Sequence, residues 1–197
     1  YREHVMLDRK IDVKKTVFVS SIAKLVGEKK FGAHHLENAS VEDLLLLRDH
    51  IPLYVSFQDV DFLRSFECEL AHRVHRLTFQ DSLYTLDMLQ QIYAKYDQYP
   101  NQLSRKLFRY LSFDGNLGLY NHQMIVHLLY IIGSTRAAPV ELLIEIEKYL
   151  EKNLEHFTIE EISLVCFSFF VCNISLQSYA LLQKLAETTL ENCSELT

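Results

Sequence analysis

Cys68, His72 and His75 fall at i, i+4 and i+7, a spacing that puts three metal-capable groups on one face of a helix. Three ligands on one helix leave a tetrahedral site open, and no fourth is evident, so ordinary helix-face residues are the better reading and no metal is expected. His34-His35 and the pair His122 and His127 carry still less. The basic residues carry more. Arg105, Lys106 and Arg109 share a helical segment, with Arg105 and Arg109 one turn apart, and Arg73 and Arg76 end the preceding repeat's second helix. Consecutive repeats could align these charges into a stripe that holds phosphates. Exposed rings among the 11 tyrosines, including Tyr84, Tyr93, Tyr96, Tyr99, Tyr110 and Tyr130, could stack single-stranded bases beside it. These five basic residues are the candidate RNA-binding set. The competing reading is that the rings pack between helices and the charges are merely solvated.

Nothing in the chain supports catalysis. There is no phosphate-binding glycine loop, nucleophile elbow, kinase catalytic loop or zinc-protease motif. Asp114-Gly-Asn-Leu-Gly118 is too short for a calcium loop, and Glu160-Glu161 belongs to a helix cap. No enzyme activity and no cofactor are expected.

The elements that must position these residues are written as a repeat. Polar helix-start residues at Ser40, Ser82, Tyr120 and Thr158 each open an apolar run, and a second apolar helix follows about twenty residues later. Ser40-Val-Glu-Asp-Leu and Thr158-Ile-Glu-Glu-Ile are nearly the same phrase, each an N-cap with an acid at the third helical position. The second helices match side chain for side chain: Phe62, Leu63, Phe66 and Leu70 in the first repeat, Leu142, Leu143, Ile146 and Leu150 in the third, with Glu67 answered by Glu147. The second repeat fits least well, displaced by about four residues and with polar Gln90 where an apolar residue would suit. One helical hairpin cannot bury its own apolar face, whereas stacked hairpins can. The expected fold is therefore all-α, an α-solenoid of about four stacked hairpins in ~38-residue repeats. A basic helical segment over 1–39 precedes the repeat domain over 40–197. With only 5 Gly and 3 Pro in 197 residues, strand-and-turn punctuation is almost absent.

The net charge of −6 argues against gripping nucleic acid by bulk electrostatics. Its distribution is uneven. Residues 1–39 hold eight Lys and Arg against five Asp and Glu, whereas Lys184 is the only basic residue after Lys152. Any polyanion contact must be local. The four cysteines are spread out with no C-x-x-C, which suits free thiols in a reducing compartment. The stretch from Ile162 to Gln183 has no charged residue, but Ser163, Ser168, Asn173, Ser175, Gln177 and Ser178 interrupt it and the repeat register places a turn inside it, so membrane insertion is not expected. A helix pair this apolar suits burial under a following repeat, and further repeats or domains of the same protein are expected after residue 197.

The wording Thr158-Ile-Glu-Glu-Ile-Ser-Leu-Val-Cys-Phe-Ser-Phe-Phe170, then a short turn and Leu181-Leu-Gln-Lys-Leu185, resembles the helical repeats of the FASTK family (Fas-activated serine/threonine kinase and its relatives). It is also similar to octotricopeptide-type repeats of organellar RNA factors. The resemblance covers about residues 40–197. It implies a mitochondrial protein of the matrix that acts in RNA processing or stability, with single-stranded RNA or a protein partner on the repeat surface. The FAST modules and RAP domain of that family are not recognisable here, and no kinase motif is present despite the family's name. The alternative is a protein–protein scaffold of HEAT-like or armadillo-like type.

Overall fold

The computed structural model describes residues 36–49, 51, 60–93, 101–112, 117 and 120–193. The basic N-terminal segment up to residue 35, with His34-His35, and the tyrosines Tyr96 and Tyr99 lie outside the described residues. Every regular element among the described residues is helical: α1 (Val41–Arg48), α2 (Val60–His72), α3 (Phe79–Tyr93), α4 (Gln102–Leu111), α5 (His122–Thr135), α6 (Val140–Asn153), α7 (Ile159–Val171) and α8 (Tyr179–Cys193). The chain divides into two compact units, Tyr1–Leu107 and Phe108–Thr197, with the division inside α4.

Two of the expected caps are present as full capping boxes. The Ser40 hydroxyl accepts the N–H of Asp43 at 3.1 Å, and the Asp43 carboxylate accepts the N–H of Ser40 at 3.2 Å. Thr158 and Glu161 exchange the same pair of bonds at 3.3 and 2.9 Å. Each box satisfies two of the donors that a helix start leaves without an intrahelical partner.

The other two starts differ from expectation. α3 begins at Phe79, one turn before Ser82, and its cap is Thr78, whose hydroxyl accepts the N–H of Asp81 at 3.1 Å. Ser82 is wholly buried inside the helix and donates to the carbonyl of Thr78 at 3.0 Å. α5 is capped by Asn121, which accepts the N–H of Met124 at 2.9 Å, and not by Tyr120. Counted from the observed caps, the residues four positions on are Leu44, Ser82, Ile125 and Ile162, and seven positions on Leu47, Thr85, Leu128 and Val165; all eight are buried. Counted instead from Ser82 and Tyr120, the seventh positions would be Leu89 and His127. A shift of one turn returns a helix to nearly the same face, so periodicity alone cannot distinguish Thr78 from Ser82.

In the first unit α1 packs against both α2 and α3. Arg48 closes this contact from inside. It is 3% exposed, and its guanidinium donates to the Asp81 carbonyl at 3.0 Å, to the Thr85 hydroxyl at 3.4 Å and to the Asp49 carboxylate at 3.0 Å. It also lies 5.6 Å from the centroid of the Tyr84 ring. A buried cation is tolerated only when its donors are spent in this way.

In the second unit α5 lies along α7, while α6 and α7 each pack on α8. The close approach of α5 to α7 depends on Gly133. A Cβ placed there would stand 3.1 Å from the Phe167 ring and 3.3 Å from the Ser168 hydroxyl. That hydroxyl is shared between the carbonyls of Leu129, across the helix contact at 2.9 Å, and Leu164, in its own helix at 2.7 Å. At the N-terminal end of the same contact His122 Nε2 and Glu161 Oε2 are 2.9 Å apart, and the His122 ring meets Phe157 edge-on, with centroids separated by 4.3 Å.

α2 and α6 end alike. Each runs into a single 3-10 turn, Val74–Arg76 and Leu154–His156, followed by a threonine cap. Each also carries a glutamate that reaches the start of a later helix in its own unit. Glu67 accepts from Asn101 Nδ2 at 3.0 Å, and Asn101 in turn caps α4 by accepting the N–H of Ser104 at 2.8 Å. Glu147, 6% exposed, accepts the backbone N–H groups of Gln177 and Ser178, each at 2.6 Å, and the Ser178 hydroxyl accepts the N–H of Leu181 at 3.2 Å.

Candidate nucleic-acid interface

α4 is sharply two-sided. Leu103, Ser104, Leu107, Phe108 and Leu111 are buried, whereas Arg105, Lys106 and Arg109 are exposed. The helical repeat of 3.6 residues causes this: the buried set recurs every three or four positions, and the three cations fall between its members. Among the described residues no hydrogen bond or ion pair engages the side chains of Arg105, Lys106 or Arg109. The Arg76 side chain is likewise exposed and without such a partner among the described residues, on the 3-10 turn that follows α2.

Arg73 is placed differently. One guanidinium nitrogen is bound to both the carbonyl and the carboxylate of Glu69, one turn earlier on the helix, and the other lies 3.4 Å from the Glu37 carbonyl. Its charge is spent within the protein on tying the end of α2 to the segment before α1. The five basic candidates thus separate into four open cations and one internal strut.

Arg64 was not among the sequence candidates, yet it belongs with them. It follows Leu63 in the buried stripe of α2 as Arg105 follows Ser104 in that of α4, and both are exposed. Superposing the stripes of the two helices in the sequence would have found it. Its charge also reaches inward. Burial pushes the Glu67 carboxyl up from its ordinary value, while hydrogen bonds from Tyr93 and Asn101 and the nearby Arg64 charge partly oppose the shift. Tyr93 is pushed far above the ordinary phenol range by burial and then by the same carboxylate. Tyr93 is therefore a core residue, not a platform for bases. Tyr84 is occupied as well, covered by Arg48 and hydrogen-bonded through its hydroxyl to Gln80 Nε2 at 3.2 Å. Tyr110 and Tyr130 are half-buried.

Cys68, His72 and His75 are all exposed, and the described residues hold no group of three or more His, Cys, Asp or Glu that could bind a metal ion. No helix among the described residues is long and apolar enough to cross a membrane.

Over two thirds to three quarters of its length the chain is similar to one kind of protein. FAST kinase domain-containing protein 5, mitochondrial, of Mus musculus is 25% identical over 152 residues, covering 75% of this chain and 18% of that protein. The protein of the same name from Macaca fascicularis is 24% identical over 137 residues, and that from Homo sapiens 23%, each covering 67% of this chain and 16% of the relative. No protein-family model and no solved structure matches. The likeness is distant, but it supports a relationship to the FASTK proteins, in agreement with the resemblance carried by Thr158–Phe170. The matched stretch spans less than a fifth of each relative.

Proposed function

We propose that this chain is the RNA-contacting helical region of a mitochondrial RNA factor related to the FASTK proteins. In this reading its helix pairs stack as an α-solenoid, and it binds single-stranded RNA in RNA processing or stability without catalysis of its own. The observation that carries the reading is the solvent face of α4, where Arg105, Lys106 and Arg109 stand open above a wholly buried opposite face. Arg64 and Arg76 extend the open basic set. Cations whose side chains find no hydrogen bond or ion pair among the described residues are available to phosphates, and in an acidic chain such a local set governs where a polyanion can dock. The mitochondrial setting rests on the names of the relatives.

The test is the affinity of the chain for single-stranded RNA, measured by fluorescence anisotropy across a salt series. Charge reversal at Arg105, Lys106 and Arg109 should weaken binding more than about tenfold at low salt and flatten the dependence on salt, since each lost phosphate contact removes a released counterion. Unchanged affinity and salt slope would remove the interface from α4.

The second reading is a protein–protein scaffold. The net charge of −6 and the single basic residue after Lys152 favour it. Crosslinking and sequencing in cells separates the two, because a scaffold leaves no reproducible RNA footprint.

A further inference from the structure

The second unit carries a bare apolar face on α7 and α8. Eight positions beyond their caps, Arg48, Leu86 and Leu129 are buried, whereas Cys166, eight beyond Thr158, is exposed. Twelve positions beyond Asn121 stands Gly133, buried under Phe167 and Ser168; the matching residue of α7 is Phe170, 81% exposed. The second helices behave likewise. Leu63, Ser104 and Leu143 are buried, but Leu182, in the same place relative to the stripe of α8, is 44% exposed, and Leu190 further along is 72% exposed. The side of α5 on which α7 lies is covered, and the corresponding side of α7 is open. Large apolar side chains left exposed at positions that are buried in the preceding helices mark a contact face. No charged residue interrupts the chain from Ile162 to Gln183, a composition that suits a helix covered on more than one side.

We propose that this face seats a further α-helical hairpin of the same polypeptide, its first helix lying along α7 as α7 lies along α5. The partner chemistry follows from the existing contact. Between α5 and α7 the small residue, Gly133, is on the earlier helix and the aromatic ring, Phe167, on the later one. On the open face the earlier helix already presents the ring of Phe170. The arriving helix must bring a small side chain opposite it, and its second helix an apolar stripe for Leu182 and Leu190. Relatives of which the matched stretch forms 16 to 18% have ample chain for such a hairpin. The inference stands whether or not α4 binds RNA.

Alkylation of Cys166, read by mass spectrometry, tests it. The 197-residue chain is compared with the full-length natural protein, with exposed Cys68 on α2 as the internal reference. Cys166 should react at least about tenfold more slowly in the full-length protein while Cys68 is unchanged. F170D combined with L190D in the full-length protein should restore its reactivity, and crosslinks from Lys184 should reach a helical segment of the same polypeptide. Equal Cys166 rates in the two proteins overturn the proposal. So does slow labelling of the isolated chain that tracks a dimer in gel filtration, which gives the face to a second copy. Crosslinks from Lys184 to a different protein overturn it too.

Discussion

Glu147, on the buried side of α6, accepts the backbone N–H of Ser178 at 2.6 Å, the residue whose own hydroxyl caps α8. Glu67 on α2 does the corresponding work in the other unit, holding Asn101 at the start of α4. Between them comes α4, where Phe108 takes the place of the glutamate relative to the buried stripe. The next second helix, α6, opens with Pro139, which has no N–H to offer and makes no side-chain cap bond. The carboxylate and its donors are thus present together or absent together, and the division between the two compact units falls beside Phe108.

Loss of the Glu147 carboxyl leaves two N–H groups at the start of α8 without their acceptor. Glu147→Ala should lower the unfolding free energy by about 3 kcal/mol in urea titration, and Glu147→Gln, which keeps one carbonyl acceptor, by about 1 kcal/mol. An alanine variant within 0.5 kcal/mol of the parent, roughly the background for surface changes, would show that the contact is incidental.

Glu67 should respond to pH in the opposite sense to a paired surface acid. Its carboxyl is raised above the ordinary 4.5, chiefly by burial, so the folded chain takes up the proton more readily than the unfolded one. The ionised group is therefore a penalty at neutral pH, and that penalty is shed as pH falls from the folded value towards 4.5. Glu67→Gln keeps an acceptor for Asn101 and Tyr93 without the charge. It should be at least as stable as the parent at pH 7, and its advantage should shrink as pH is lowered towards 4.5. A variant that loses more than about 1 kcal/mol at pH 7 contradicts this.

The placement of the α3 cap is tested by two neighbouring substitutions. Thr78→Ala removes the acceptor for the Asp81 N–H and should cost about 1 kcal/mol, with faster amide exchange in the first turn of α3. Ser82→Ala removes a hydroxyl bonded back to its own helix at Thr78 and should leave exchange in that turn unchanged. Equal effects on exchange would mean that the cap is misplaced.

Arg73 and the α4 cations should dissociate in their effects. Arg73→Ala breaks the tie to Glu69 and Glu37, and should lower stability by about 1–2 kcal/mol with RNA affinity preserved. The reversal at Arg105, Lys106 and Arg109 should do the converse, with stability within about 0.5 kcal/mol of the parent. Thermal melts and anisotropy on the same samples give both readouts. Loss of RNA affinity in the Arg73 variant at unchanged stability would return Arg73 to the interface.

Ser40 and Thr158 were legible in the sequence because a capping box is local: cap and acid are three residues apart, and their mutual bonds need nothing from elsewhere. The two-sided character of α4 was legible for the same reason, since 3.6-residue periodicity alone separates Arg105, Lys106 and Arg109 from Leu103 and Leu107. The all-helical class follows from that periodicity together with the scarcity of glycine and proline. What lay beyond the sequence depends on partners far along the chain. Thr78 could be told from Ser82 only by seeing which hydroxyl meets a free N–H, because both lie on one face a turn apart. Arg73 looks like any terminal arginine until Glu37 comes beside it, and Arg48 like a surface residue until Asp81 and Thr85 close over it. The sequence showed Glu67 and Glu147 as a matched pair; only the tertiary structure gave the match its cause, a carboxyl held where a later helix must begin.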